Sequence, residues 1–121
     1  MDFDQAIAAH VAWKGKLSKY LANPDQSLQP SEIGLDNRCD LGKWIAGEGQ
    51  KFASLAEYAS VKSEHTRFHK IAAAIVLRAN AGQKVEEEVA LGAKSEFMSA
   101  SGAVVRSLMA LKSKVGTLVS V

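Results

Sequence analysis

The chain has 121 residues, of which 47% are hydrophobic and 23% charged, and its formal net charge at pH 7 is +2. These values exclude a disordered segment and predict one globular domain over residues 1–121, long enough to bury a core without disulfides. Acidic residues are interleaved with basic ones, which argues against nucleic acid as a partner, and no apolar run approaches the roughly 20 residues of a membrane-spanning helix.

The first predicted helix covers Phe3 to Tyr20. Its buried face is predicted from side chains that recur at spacings of three, four and seven residues, namely Phe3, Ile7, His10, Val11, Leu17 and Tyr20. Both prolines, Pro24 and Pro30, fall in the polar stretch that follows, from Asn23 to Ser31. Because proline lacks an N–H group and restricts the residue before it, this stretch predicts a loop.

Two helices are predicted after the loop. The second helix is short, with Asp36 as its N-cap and Gly47 or Gly49 at its end, and it carries Cys39, Leu41, Trp44 and Ile45. The third begins near Phe52 or Ser54 and stops at the sequence Asn80-Ala81-Gly82. Its apolar stripe also includes two histidines, at positions 65 and 69.

The fourth predicted helix spans Val85 to Val121, with Gly92 and Gly102 as weak points. One apolar stripe alternates steps of four and three residues through Phe97, Ser101, Val104, Leu108, Leu111, Val115 and Leu118. A second apolar set is displaced by one residue and consists of Val105, Met109 and Val119. This is more apolar surface than one intramolecular face needs, and it predicts a homodimer.

Strand signals are nearly absent, since the chain has no Asn-Gly or Asp-Gly turn and no sustained alternation of apolar and polar residues. Alanine, a strong helix former, is abundant. We therefore predict an all-α fold, an antiparallel four-helix bundle with a short extra helix that carries the cysteine.

The chemistry of the chain centres on its three histidines and one cysteine, which are His10, Cys39, His65 and His69. Four is the number of ligands in a closed tetrahedral zinc site. His65 and His69 project from one helix face, about 5 to 6 Å apart at Cβ. Cys39 is predicted in the first turn of its helix, where free N–H groups stabilise a thiolate. Each buried imidazole also needs a partner for its second nitrogen, which we expect to be a backbone carbonyl or a nearby polar group.

Each of these residues also has an explanation without metal. A histidine on an apolar stripe is commonly a core residue bonded to a backbone carbonyl, and a single cysteine is commonly a small buried hydrophobe. Convergence favours a metal site, because all four side chains occupy core-facing positions on three separate predicted helices. The residues alone leave both interpretations open.

Other types of site lack the residues that they need. A di-iron bundle requires several Glu and His ligands, and only Glu64 lies beside a histidine. A thiol hydrolase requires an oxyanion hole near its cysteine, and no nucleophile elbow or glycine-rich loop adjoins Cys39. The sequence also contains no phosphate-binding loop.

Three motifs follow one another along the chain: His10 with Trp13, the hexamer from Cys39 to Trp44, and His65 with Phe68 and His69. In this order and at these intervals they resemble the chemoreceptor zinc-binding domain family of bacterial signalling proteins. The resemblance implies that three histidines and one cysteine hold one zinc ion inside a helical bundle. It therefore names as zinc ligands His10, Cys39, His65 and His69.

The resemblance also implies a role. Domains of this family regulate a linked output, commonly a chemotaxis receptor or a diguanylate cyclase of cyclic di-GMP signalling, in response to zinc or to oxidants such as hypochlorous acid. For this chain it implies a zinc-binding sensor or regulatory domain, with a signalling output protein as partner and Cys39 as the responsive ligand. A zinc-bound thiolate remains nucleophilic, and its oxidation gives a poorer ligand.

Two functional classes remain open. One is the sensor, and the other is a structural module in which zinc staples the bundle and the last helix mediates dimerisation. An enzyme is not expected, because four protein ligands leave zinc no open position for water or substrate. The single cysteine and the lack of a signal-peptide pattern predict a cytoplasmic location.

Overall fold

The computed structural model describes residues 2–35, 37 and 39–119, apart from the side chains of residues 88 and 116–119, and the regular elements of this part of the chain are all helices. The three long helices are α1 (Phe3–Ala22), α4 (Ala56–Asn80) and α6 (Glu96–Val119). The short ones are α2 (Pro30–Ile33), α3 (Asp40–Ala46), a 3-10 helix (Glu48–Phe52) and α5 (Glu87–Leu91). The predicted all-α class is confirmed.

The ends of the long helices follow from local sequence. Asp2 caps α1, because its Oδ1 accepts hydrogen bonds from the backbone N–H groups of Asp4, at 2.8 Å, and Gln5, at 3.2 Å. The end of α4 is followed by Gly82, whose φ of 80° is a conformation that glycine adopts at little cost. The predicted first and third helices are thus confirmed, with bounds within a few residues.

The fourth predicted helix is wrong in about its first third, over residues 85–95. The chain forms the short α5, leaves the helix at Gly92, and starts again at α6. Ser95 explains the restart, because its Oγ accepts a hydrogen bond from the backbone N–H of Met98 at 3.2 Å and donates one to the Gly92 carbonyl at 2.7 Å. Gly102, the other predicted weak point, lies inside α6 without interrupting it.

Three further details differ from prediction. Val11 is 55% exposed, because the buried face of α1 is narrower than the one predicted. Cys39 is the N-cap of α3 and lies one residue before the helix. The predicted N-cap Asp36 lies outside the described residues. The loop predicted up to Ser31 ends early, since Pro30 occupies the first position of α2, where its missing N–H costs nothing.

Polar contacts fix the directions of the long helices. Lys112 of α6 donates to Asp4 of α1 at 2.7 Å, which joins the end of one helix to the start of the other and makes the pair antiparallel. The Tyr20 hydroxyl near the end of α1 donates to Asn80 at the end of α4, at 2.6 Å. Because His10 also lies beside His65, with ring centroids 5.0 Å apart, α1 and α4 are parallel.

Because α1 and α4 are parallel, the chain must run back along α4 between them. Residues 28–52 form this connection, which we name the return segment. Its backbone carbonyls contact α4 in order, beginning at the end of α4 and finishing near its start. The Leu28 carbonyl accepts from Asn80 at 2.9 Å, that of Ile33 lies 2.8 Å from His69 Nδ1, and that of Ile45 accepts from the Tyr58 hydroxyl at 2.6 Å. The cysteine is thereby carried past the middle of α4.

The core lies between the three long helices. Phe68 of α4 and Phe97 of α6 are almost fully buried and their ring centroids are 5.3 Å apart. The other large side chains that are almost fully buried come from α1, α3, α4, α5 and α6, and include Leu17, Leu41, Val61, Leu91, Val104, Leu108 and Leu111. Across the described residues, no helix is both long enough and apolar enough to cross a bilayer.

Candidate metal centre

The structure brings together the four side chains that the sequence singled out. His10 lies halfway along α1, Cys39 caps α3, and His65 and His69 lie one turn apart on α4. One potential ligand atom from each residue lies within 4.8 Å of those of the other three. The predicted convergence of three histidines and one cysteine is therefore confirmed.

The spacing of the ligand atoms of Cys39, His65 and His69 fits a tetrahedral zinc ion. Standard zinc bond lengths place two nitrogen ligands about 3.3 Å apart and a sulfur and a nitrogen ligand about 3.6 Å apart. Nε2 of His65 lies 3.0 Å from Nε2 of His69, and Cys39 Sγ lies 3.2 Å and 3.8 Å from the same two atoms. The observed distances lie on both sides of the ideal ones and differ from them by a few tenths of an ångström.

Backbone carbonyls orient two of the imidazoles. His10 Nδ1 lies 2.7 Å from the carbonyl of Ala6, and His69 Nδ1 lies 2.8 Å from the carbonyl of Ile33. A carbonyl can only accept, so each Nδ1 carries a proton, and Nε2 is the nitrogen of each ring that is available to a metal. The expected carbonyl support is confirmed for His10 and His69.

His10 supplies an independent indication of a metal site. Its Nε2 is the one buried side-chain nitrogen or oxygen of the described residues that has no hydrogen-bond partner. Burial lowers the pKa of His10, the bond to Ala6 opposes this, and the nearby His69 adds to the lowering. The ring is therefore neutral at pH 7, with an unused lone pair, which is the form that binds metal.

Cys39 differs from its predicted state. Burial raises the pKa of the Cys39 thiol, while the backbone N–H groups at the start of α3, that of Gly42 first among them, act in the opposite direction. Desolvation thus outweighs the helix N-terminus that was expected to stabilise the thiolate. A metal cation at the sulfur would supply the missing stabilisation, because coordination deprotonates a thiol. Gly42 N–H lies 3.4 Å from Sγ and keeps the sulfur at the N-cap.

Aromatic rings close one side of the centre. The Phe68 ring packs edge to face against His10 at 5.3 Å and against His69 at 5.7 Å, with distances taken between ring centroids. The same ring continues into the core through Phe97. Ile33 lies on the His69 side of the centre. Its role was not predicted from the sequence, because it contributes a backbone carbonyl, which a residue of any type would supply.

Comparison with known proteins gives one match. The family model described as the chemoreceptor zinc-binding domain matches residues 10–76, which is more than half of the chain and includes all four residues of the centre. A search of curated proteins and a search of solved structures return no match. The matched family binds zinc, and the cluster found here is able to hold such an ion.

Proposed function

Because this chain belongs to the chemoreceptor zinc-binding domain family, we propose that it is a regulatory domain of bacterial signal transduction whose zinc is bound by His10, Cys39, His65 and His69. The observation that carries the proposal is the approach of four ligand atoms to within 4.8 Å from three separate helices. Bound zinc keeps the thiol ionised and thus nucleophilic. All four tetrahedral positions are then filled, so the proposed role is regulatory and not catalytic.

Cys39 is the residue through which the domain would respond. Its sulfur is both a candidate ligand and the cap of α3, since it accepts the Gly42 N–H at 3.4 Å. Hypochlorous acid would oxidise the thiolate by two electrons, with the OH group going to sulfur and the chlorine leaving as chloride. The resulting sulfenic acid is a weaker ligand, so α3 would lose its tie to α4. The proposed partner that detects this change is a cytoplasmic chemoreceptor or diguanylate cyclase.

The same proposal covers the architecture. Three long helices supply three members of an antiparallel four-member bundle, and the return segment takes the fourth place. In support of this, the Leu28, Ile33 and Ile45 carbonyls meet α4 in the opposite order to its sequence. The cysteine-bearing α3 then belongs to the fourth member.

Replacing Cys39 with serine tests the ligand set. Loss of a group that only orients a ligand weakens metal binding by about 10- to 100-fold, so we expect Cys39→Ser to weaken zinc binding by at least about 100-fold. Serine is a good N-cap, so the start of α3 should survive. Zinc per chain after purification without added metal, followed by competition with a chromogenic chelator, measures the effect.

The control is Ser113→Ala, which lies on α6 and should leave zinc binding unchanged. Stoichiometric zinc of equal affinity in wild type and Cys39→Ser would contradict the ligand set. In the same assay, hypochlorous acid should release zinc or lower its affinity in the wild type. Zinc binding that is unaffected by the oxidant would instead support the structural module, in which zinc only staples the bundle.

A homodimer is also part of the proposal. Val11 on α1 is 55% exposed and Met109 on α6 is 57% exposed. The two helices are antiparallel, and counting from the Asp4–Lys112 contact places Val11 opposite Val105, one turn from Met109. In the proposed dimer, a second copy covers these side chains on the two helices. Of the second apolar set predicted on this helix, the Val119 side chain lies outside the described residues.

We expect sedimentation equilibrium of the zinc-loaded protein to give a dimer mass at about 100 μM and Met109→Lys to shift it towards the monomer, because a buried lysine opposes association. Leu77→Lys is the matched control, since Leu77 is 59% exposed and lies on α4. A monomer mass for the wild type at this concentration would end the dimer proposal.

A further inference from the structure

A groove between α1 and α3 leads from the protein surface to the candidate metal centre. Its volume is about 840 Å³. We name it the entry groove, and the lining residues that matter here are Gln5, Ala9, Trp13, Trp44, His10 and Cys39. Sites that bind small molecules commonly have volumes of about 300 to 1,000 Å³ and largely apolar and aromatic walls. The entry groove is within that range and has two indole rings in its walls.

Two of the four residues of the centre line this groove. Cys39 is half-buried, whereas His65 and His69 are buried. His10 is only 3% exposed, and its Nε2 has no hydrogen-bond partner among the described residues. A smaller pocket of about 130 Å³ reaches His65 from another side, but Cys39 is not part of its lining. Of these two cavities, the entry groove is the one that Cys39 lines.

The walls of the entry groove are held by packing. The Trp44 ring meets Phe3 edge to face, with centroids 5.5 Å apart, and lies 6.1 Å from Phe52. Gly49 packs so closely that an added Cβ would lie 2.8 Å from the Trp44 ring. On the α1 side, Lys16 Nζ lies 4.9 Å from the centre of the Trp13 ring. The packing around Trp44 holds this wall of the groove in place.

We propose that the entry groove is the route by which electrophiles reach Cys39 Sγ. The proposal rests on the proposed function, in which Cys39 is the reactive ligand. It assigns to the lining residues Ala9, Trp13 and Trp44 the control of how fast a reagent reaches the sulfur. The class of reagent is an electrophile that fits within the volume of the groove.

Alkylation of Cys39 provides a direct probe. With iodoacetamide, the thiolate sulfur attacks the methylene carbon, an S–C bond forms, the C–I bond breaks, and iodide leaves with the bonding electron pair. The rate of each variant relative to that of the wild type, at equal zinc content, therefore measures access to the sulfur.

The test uses the zinc-loaded chain, with alkylation followed by mass spectrometry. Ala9→Trp should fill the groove and slow iodoacetamide by about tenfold or more, and Gln5→Trp, farther from His10, should also slow it. Ala59→Trp is the matched control, because Ala59 is exposed on α4 and lines a different groove.

Iodoacetamide rates of Ala9→Trp and Gln5→Trp that equal the wild-type rate, at equal zinc content, would overturn the route. Slowing of the same size in these two variants and in Ala59→Trp would also overturn it, since the effect would then not depend on the groove. A wild type without zinc would refute the proposed ligand set instead. The alkylation rates would still decide the route in that case, because the thiol remains in the same groove.

Discussion

Removal of zinc with a chelator will lower the hydrogen-exchange protection of α3 more than that of any other helix. The backbone of α3 packs mainly against the 3-10 helix that follows it. Its other ties are the buried side chains of Leu41 and Ile45, the hydrogen bond from Tyr58 to the Ile45 carbonyl, and the cysteine at its start. Zinc would join that cysteine to α1 and α4, so its loss removes the strongest of these ties.

The size of this effect follows from linkage. A ligand present at about 1,000 times its Kd stabilises the state that binds it by about 4 kcal/mol. Opening of α3 breaks the site, so we expect exchange of the amides from Leu41 to Ile45 to accelerate by about 100-fold or more without zinc. The long helices should remain, because each buries its own apolar face against the others. The measurement is hydrogen exchange followed by mass spectrometry.

Cys39→Ser provides the control, because addition of chelator to a variant that binds zinc poorly should change little. Amides near Val104 in α6 provide an internal reference in the wild-type protein. Equal protection of Leu41 to Ile45 with and without zinc would show that α3 is held by its apolar contacts alone.

Truncation of Phe68 will be the most destabilising change in the core that is not itself a candidate ligand. Its side chain is fully buried where α1, α4 and α6 meet, in contact with Phe97 and with the rings of His10 and His69. Phe68→Ala should lower the free energy of unfolding by about 3 to 5 kcal/mol, because it removes apolar contacts and leaves a cavity. Urea denaturation of the zinc-free protein measures this without the contribution of the metal.

Leu77→Ala is the control for this change, since Leu77 lies on the same helix but is 59% exposed, and its truncation should alter stability by no more than about 0.5 kcal/mol. The loss of Phe68 should also weaken zinc binding, because two of the imidazoles lose the ring that packs against them. Similar urea midpoints for the two variants would mean that neighbouring side chains collapse into the space.

The long helices and the cluster of candidate ligands could be predicted from the sequence because both depend on side-chain periodicity. The spacing of apolar residues set the faces of α1 and α4, and His10, His65 and His69 lay on those faces. The position of the break between α5 and α6 could not be predicted in the same way. An apolar stripe continues across Gly92, and the start of α6 depends on one hydroxyl, that of Ser95.

The course of the return segment was beyond prediction for a different reason. α2 has four residues and no side-chain cap, so it is too short to show a period. Its position against α4 depends on contacts between residues far apart in the chain, among them Tyr20 and Asn80 with the Leu28 carbonyl. The parallel arrangement of α1 and α4 follows from that course and has no local signal.

The carbonyls that orient His10 and His69 affect how this domain can change during evolution. Substitution at Ala6 or Ile33 leaves the main-chain oxygen in place, so point mutations there can spare the imidazole bond. Insertions and deletions act differently on the two bonds. The Ala6 oxygen lies one turn from His10 in the same helix, but the Ile33 oxygen reaches His69 across 36 positions. A single deleted residue before α2 would thus misplace one acceptor and keep the other, so we expect chain length there to tolerate less change than residue identity.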